Sequence, residues 1–218
     1  MLFTSSCDNN DQCEMSLCQK TLEMILPLLN EDALRLPTLS SAFFRLLLNI
    51  SEASPNVFLF IDNALSEKLL HCLCWAIGGA AGMEPTKLAL ETIQIVCRTL
   101  GMSTDTAQGA FVQSLFRILT AKLFEVAFNS STELEMELQL HAIRGLYAVI
   151  RLNQQYFSEY VHSLFTRPAN ASNYERLIEN YNQLILPGEQ LADTRQAFGT
   201  FNKRFEKFVG SVESILVV

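Results

Sequence analysis

Three histidines, six cysteines and a set of carboxylates are the residues of this chain that could carry out a reaction or hold a metal. The densest grouping is His71-Cys72-Leu73-Cys74, which looks like half of a zinc site. Successive helix residues turn by about 100°, so these side chains would point to different faces of a helix. No second Cys/His pair follows at zinc-finger spacing. We therefore interpret the cluster as buried thiols beside a partly exposed imidazole.

The other candidates for chemistry are weaker. His141 and His162 lie on amphipathic segments without a serine or cysteine motif beside them, which is typical of core-edge or surface histidines. The run Gly78-Gly79-Ala80-Ala81-Gly82 is neither GxGxxG nor a Walker motif, and it ends a predicted helix rather than opening one after a strand. A hydrolase that uses Cys72 or Cys97 as nucleophile is the enzymatic alternative. We predict no catalytic, cofactor-binding or metal-binding residue and no cofactor.

Charge is distributed unevenly along the chain. The net charge of −7 argues against a nucleic-acid partner, because proteins that bind nucleic acids cluster Lys and Arg. Residues 1–137 carry 16 acidic and 8 basic side chains, whereas residues 138–218 carry 7 and 8. Alternating Glu133, Glu135 and Glu137 predict a solvated helix face, although an acidic strip also suits a basic partner.

The elements that must position these residues are all helices. Apolar residues recur with the 3.6-residue period, and Pro, Gly, Asn or Ser separate the segments. The predicted helices cover about residues 12–29, 38–53, 64–80, 84–100, 105–128, 132–152, 154–166 and 171–185, and a last one begins between 189 and 193 and ends near 214. Leu17, Thr21, Met24, Ile25 and Leu28 are predicted to form the core-facing side of the first helix. Pro27 should bend that helix or end it early, Gly101 should cap the fourth, and Thr132 with Glu135 should form a capping box.

The spacing of the helices indicates a repeat. Starts near residues 12, 64, 105 and 154 bracket the ~40–47-residue unit of HEAT and armadillo repeats. The sequence therefore predicts an all-α fold, an α-solenoid of HEAT-like helical hairpins with about four repeats plus a terminal helix. We expect a disordered or frayed N-terminus over 1–11 and the repeat region over 12–218. A compact helical bundle is the alternative that would give similar helices.

The last predicted helix combines basic and aromatic residues. Arg195, Lys203, Arg204 and Lys207 stand around four phenylalanines, Phe198, Phe201, Phe205 and Phe208, which recur at helical spacing. The favoured interpretation is a terminal helix that buries the phenylalanines and keeps its basic face in water. A basic docking face is the alternative.

The termini and the cysteines indicate in which cellular compartment the protein would be found. The first residues lack the basic region and long apolar run of a signal peptide, and no stretch is apolar enough for a membrane span. Because disulfide scaffolds are usually short and loop-rich, we expect reduced cysteines in a cytosolic or nuclear protein and no membrane partner.

A set of short segments resembles a known family in the same order along the chain. They are Leu26-Pro27-Leu28-Leu29, Leu34-Arg35-Leu36-Pro37-Thr38-Leu39, Phe43-Phe44-Arg45-Leu46, Ser54-Pro55, Gly145-Leu146-Tyr147, Tyr156-Phe157 and Tyr174-Glu175-Arg176-Leu177. From about residue 20 to the end, the chain is similar to the C-terminal region of the nuclear export receptors of the importin-β (karyopherin) superfamily.

The resemblance implies a function without covalent chemistry. It implies HEAT repeats and a receptor that carries folded protein cargo through the nuclear pore with Ran-GTP, contacts nucleoporins, and shuttles between nucleus and cytoplasm. Receptors of this type are much longer, bind Ran mainly through N-terminal repeats and hold cargo on their concave surface. The chain would therefore be a final group of repeats, to which no family site residue transfers. A free-standing helical-repeat scaffold or adaptor for a protein partner is the alternative.

Overall fold

The computed structural model describes residues 5–100, 109–128, 133–186 and 188–218, with side chains described for 12–99, 117–128, 137–186 and 188–218. Within these ranges the chain contains α-helices, a few short 3-10 or π turns, and no strand. The helices are α1 (Ser5–Ile25), α2 (Glu31–Leu34), α3 (Pro37–Ala53), α4 (Asn63–Trp75), α5 (Met83–Leu100), α6 (Gly109–Phe128), α7 (Glu133–Leu152), α8 (Gln154–Phe165), α9 (Tyr174–Leu184) and α10 (Arg195–Val212). The predicted all-α, repeat-like arrangement is confirmed, and no described helix is long and apolar enough to cross a membrane.

Side-chain caps set several helix starts. Asn30, Asp62 and Asn153 each accept a hydrogen bond from the backbone N–H three residues later, at 2.8, 2.8 and 3.0 Å. Thr194 does the same with the N–H of Ala197 at 3.1 Å. These bonds satisfy donors that have no partner inside the helix. The predicted start of the last helix, between 189 and 193, is therefore wrong, because Thr194 holds the cap and α10 begins at Arg195.

The chain divides into two compact units, Met1–Leu119 and Thr120–Val218. In the first unit, α3 packs on α5 and buries Phe43, Phe44 and Leu47. The glycine-rich segment forms one π-helical turn, Ala76–Ala80, at the end of α4. Gly79 has a φ of 81°, which favours glycine and ends the helix, so the predicted helix end is confirmed.

The first helix differs from its prediction in two respects. It begins at Ser5, so the predicted start at Gln12 is wrong, and it ends at Ile25 where a 3-10 turn containing Pro27 follows, as predicted. Residues 1–4 lie outside the described residues, and the frayed terminus stays a prediction.

The core-facing side of α1 was also predicted wrongly. Leu17, Met24 and Leu28 are 66%, 73% and 77% exposed. The buried residues are instead Leu22 of α1 and Leu26 and Leu29 of the turn that follows, whereas Thr21 and Ile25 are half-buried. Apolar residues on two opposite sides of one helix explain the error, because periodicity identifies an apolar side but not which one the interior takes.

The second unit is built around an aromatic cluster. The ring of Phe124, from α6, lies 5.8 to 6.4 Å from those of Phe128, Phe157, Tyr160, Phe205 and Phe208. Aromatic rings at these separations attract each other through their quadrupoles in addition to the apolar area they bury. Helices α6, α8 and α10 are therefore joined through one ring. The Gly101 cap, the helix start near residue 105 and the capping box of Thr132 lie outside the described residues.

Candidate functional site

The His71-Cys72-x-Cys74 cluster does not form a metal site in the structure. The three side chains point to different environments, as the helical spacing predicts: His71 is exposed, Cys72 is buried and Cys74 is half-buried. The Nε2 atom of His71 lies 3.6 Å from Oε1 of Glu31, in the neighbouring α2. Among the described residues, no three His, Cys, Asp or Glu side chains come together as metal ligands would.

The Cys72 thiol is poorly suited to nucleophilic catalysis. Burial raises its pKa to about 11, and Lys68 lowers the pKa by less than burial raises it. Reactive cysteines have a depressed pKa, because the thiolate is the attacking species. The alternative nucleophile, Cys97, is 1% exposed.

The remaining titratable candidates stand apart from one another. The His162 ring packs edge-on against Tyr181 at 5.8 Å, whereas His141 is half-buried on α7. Glu137 is exposed, as expected of a solvated face. The side chains of Glu133 and Glu135 lie outside the described residues.

A small cavity in the first unit has a volume of about 10 Å³. Its walls are apolar, and it reaches Thr92, whose hydroxyl donates to the Leu88 carbonyl oxygen. A cavity of this size holds one water molecule at most. It therefore does not bind a substrate or a cofactor.

The basic last helix is fastened to its own unit. Phe201, Phe205 and Phe208 are buried, which confirms them as a core stripe, and Phe198 is half-buried. Two of the predicted basic residues bind acceptors nearby in the chain: Arg204 bonds to Glu189 at 2.6 Å, and Lys207 donates to the side-chain oxygen of Gln183 at 3.2 Å. Lys203 and Arg195 are exposed. This arrangement favours the interpretation in which α10 completes the unit, with only part of its basic face in water.

Sequence reasoning missed the way in which the loop between α9 and α10 is held. The Tyr147 hydroxyl donates to the Ala192 carbonyl oxygen at 2.8 Å, and the Arg151 Nε donates to that of Leu191 at 3.3 Å. The Arg151 guanidinium also lies 2.9 Å from the Asp193 carboxylate. We call these contacts, together with Arg204–Glu189, the loop clamp. The sequence feature that could have indicated the loop clamp is the tyrosine of the Gly145-Leu146-Tyr147 segment. Without the clamp, this tyrosine would be an ordinary core residue.

The second feature that was missed is a buried amide. Asn170 is fully buried, donates to the carbonyl oxygens of Leu164 and Val217 at 2.8 and 2.9 Å, and accepts from the Val217 N–H at 2.8 Å. One side chain thereby pairs with both backbone groups of Val217, much as a neighbouring strand would. The described C-terminal residues are held against the end of α8 by this Asn170 latch.

The described residues define a class of protein before any comparison is made. They are packed helices in an all-α, repeat-like arrangement. Residues 6–213 match the family model described as CRM1 C terminal, so the chain belongs to that family of exportin-type nuclear export receptors. No solved structure matches the chain.

Family membership bears on the broader predictions. It supports a role in nuclear export, because the family is one of transport receptors and is not known as an enzyme family. It also supports protein partners of the cargo and Ran type and a nucleocytoplasmic location in general terms.

Proposed function

We propose that this chain is the C-terminal segment of a nuclear export receptor that carries folded protein cargo from nucleus to cytoplasm together with Ran-GTP. The match of residues 6–213 to the CRM1 C-terminal family is the observation that carries the proposal. The whole receptor contacts nucleoporins and shuttles through the nuclear pore. Within the exportins, the ordered segments from Leu26 to Leu177 resemble exportin four in particular.

The proposed role of the segment needs no covalent step. Its aromatic cluster, loop clamp and latch make a rigid second unit, which is what a receptor needs in order to present a preformed surface. Described surface residues include both signs of charge and no converging catalytic set, so recognition by shape and electrostatics is the mechanism that fits. We assign no individual residue to Ran or cargo.

The test is capture of Ran by the natural polypeptide in which this segment stands. Immobilised polypeptide is incubated with Ran loaded with a non-hydrolysable GTP analogue or with GDP, and bound Ran is quantified. We expect capture in the GTP state only, and less capture by a variant that lacks residues 12–218. Failure to bind in either nucleotide state contradicts the proposal.

A free-standing helical-repeat scaffold is the second candidate function. Phe124 packs against Phe157 and Phe205 within the second unit, so that unit has an interior of its own. This observation favours the scaffold. The scaffold predicts a protein partner whose binding is indifferent to Ran. Stable, Ran-independent capture of one partner by the 218-residue chain alone would favour this candidate over the receptor.

A further inference from the structure

Two exposed arginines stand beside one partly exposed aromatic ring in the second unit. The guanidinium carbon of Arg144, on α7, lies 5.5 Å from the centre of the Phe198 ring, on α10. Arg144 is exposed and Phe198 is half-buried. Arg195 is also exposed and precedes Phe198 by three residues on α10, a spacing that makes side chains neighbours on a helix surface. We call Arg144, Phe198 and Arg195 the arginine–phenylalanine patch.

Stacking leaves the Arg144 guanidinium able to bind a carboxylate. The face of the guanidinium packs on the ring, whereas its five N–H donors lie in its plane, in a fork that matches the two oxygens of a carboxylate. A stacked guanidinium is already ordered, so less freedom is lost when it binds. Among the residues that the structure describes, no carboxylate forms an ion pair with Arg144 or Arg195, in contrast to Arg151 and Arg204 nearby.

The same face of α7 already binds an acidic segment of the chain itself. Arg144, Tyr147 and Arg151 follow one another at spacings of three and four residues, which places them along one side of the helix. At one end of this line, Arg151 pairs with the Asp193 carboxylate at 2.9 Å and Tyr147 donates to the Ala192 carbonyl oxygen. Arg144 offers the same kind of donor about two turns, or about 10 Å, further along the helix.

We propose that the arginine–phenylalanine patch binds a short acidic segment of a partner protein. Two Asp or Glu side chains of that segment pair with Arg144 and Arg195, and an apolar side chain between them covers the exposed part of the Phe198 ring. Neighbouring guanidinium groups repel each other, so the acidic segment relieves this repulsion and gains two charge-assisted contacts. The site goes beyond the proposed receptor function and does not depend on it.

Charge argues for a short acidic segment rather than for a polyanion. The chain carries a net charge of −7, so the rest of its surface repels duplex DNA or an anionic membrane. Affinity for a phosphate backbone requires several clustered cations, whereas the patch offers two. A peptide of a few residues responds mainly to the charges within a Debye length of about 8 Å, where the two arginines dominate.

The test uses fluorescence anisotropy of a labelled acidic peptide, GSDEFEDSG, titrated with the 218-residue chain. The matched control peptide, GSNQFQNSG, replaces every carboxylate by an amide of the same shape. We expect the acidic peptide to bind with a Kd on the order of 10–100 μM and the amide peptide to bind at least about tenfold more weakly.

Substitutions in the patch distinguish a binding site from a general effect of charge. Arg144→Gln and Arg195→Gln should each weaken binding of the acidic peptide by about five- to tenfold. Arg144→Lys keeps the charge but not the planar fork, and it should weaken binding by about threefold or more. Lys203→Gln is the matched control, because it removes one charge from an exposed position of α10 about 140° around the helix from Phe198. It should change the Kd by less than about twofold.

Thermal unfolding checks that the variants fold. Arg144, Arg195 and Lys203 are exposed, so the Tm of each variant should stay within about 4 °C of that of the parent chain. The comparison of the acidic and amide peptides needs no variant and decides the question even if a substitution disturbs the fold.

Several results overturn the proposal. They are the absence of saturable binding up to about 1 mM peptide, equal affinity for the two peptides, and patch variants that bind as tightly as Lys203→Gln. Tighter binding of duplex DNA or phosphatidylserine vesicles than of the acidic peptide assigns the patch to phosphate groups and also overturns it. Because the assay contains no Ran, failure here leaves the receptor function standing, and failure of Ran capture leaves this site standing.

Discussion

Asn170 is a buried residue of the second unit whose single side chain binds three backbone groups. Its amide makes the three hydrogen bonds of the latch from a position without solvent access. A buried amide bonded to the backbone in this way restricts the local conformation, because its removal leaves backbone groups without partners.

We expect Asn170→Ala to lower the free energy of unfolding by about 2–4 kcal/mol, because three bonds are lost and buried backbone groups remain unpaired. Asn170→Asp should also destabilise, since a carboxylate cannot donate to Leu164 and Val217. Urea unfolding followed by circular dichroism measures both effects. Asn182→Ala, at an exposed position on α9, is the matched control and should change stability by less than about 0.5 kcal/mol. Equal losses for Asn170→Ala and the control would contradict the latch.

Cys72 allows a second prediction at the scale of the residue. Because burial raises its pKa to about 11, it holds roughly a hundredfold less thiolate near pH 8 than an ordinary cysteine does. Iodoacetamide should therefore modify exposed Cys13 at least about a hundredfold faster than Cys72 in the folded chain. Peptide mass spectrometry at several times of reaction distinguishes the two sites. Faster modification of Cys72 would revive the hydrolase hypothesis.

The same raised pKa of Cys72 has a consequence for stability. The folded chain binds the thiol proton more tightly than the unfolded chain, so the unfolded chain loses it first as pH rises. The contribution of the Cys72 thiol to the free energy of unfolding is complete at pH values below its ordinary pKa of 9.0. It is lost as the pH rises toward about 11. The free energy of unfolding of Cys72→Ala should decline less over this interval than that of the parent chain.

At the scale of the element, the loop between α9 and α10 is fixed by side chains that come from other helices. Tyr147 and Arg151 stand one turn apart on α7, so one helix face contacts successive carbonyl groups of the loop. Burial raises the pKa of the Tyr147 hydroxyl, which keeps it protonated and able to donate. The loop is therefore tied to α7 by side chains that lie outside its own sequence.

Loosening the clamp gives the prediction for this element. Tyr147→Phe with Arg151→Met should speed amide hydrogen exchange across residues 188–194 by about tenfold or more, because the loop then opens without breaking bonds to α7. The expected stability loss is about 1–3 kcal/mol. Lys203→Met, at an exposed basic position on α10, should leave exchange in the loop unchanged. Unaltered exchange in the double variant would show that the loop is held by other contacts.

At the scale of the whole molecule, the net charge favours a protein partner over a nucleic acid. The net charge of −7 opposes binding to phosphate backbones, and Arg204 and Lys207 of the last helix are already engaged within the chain. A nucleic-acid binder gains its affinity by releasing counterions through clustered, available cations. Protein surfaces are the partners that this charge distribution favours.

The corresponding prediction concerns duplex DNA. We expect binding weaker than about 10⁻⁴ M at physiological salt, measured by fluorescence anisotropy of a labelled duplex. A variant with Glu175→Lys, Glu179→Lys and Glu206→Lys, all at exposed positions, tests whether charge is the reason, since it should bind more tightly. Saturable micromolar binding by the parent chain would contradict the exclusion of nucleic acid.

Much of the secondary structure follows from the sequence, because period, proline and caps act over a few residues. The interruption of the first helix near Pro27, the glycine-rich end of α4 and the phenylalanine stripe of α10 were all predicted from such local signals. The start of α1 was missed because its first turns, from Ser5, are polar and carry no apolar period.

Tertiary structure decided what local patterns leave open. The sequence by itself determined the all-α class and most helix boundaries, since both depend on residue types and short spacings. Only the fold decided that α1 buries Leu22 rather than Met24, that Tyr147 reaches Ala192, and that Asn170 binds Val217. The last two contacts join residues 45 and 47 positions apart. Such contacts depend on how helices pack, which no window of the sequence contains.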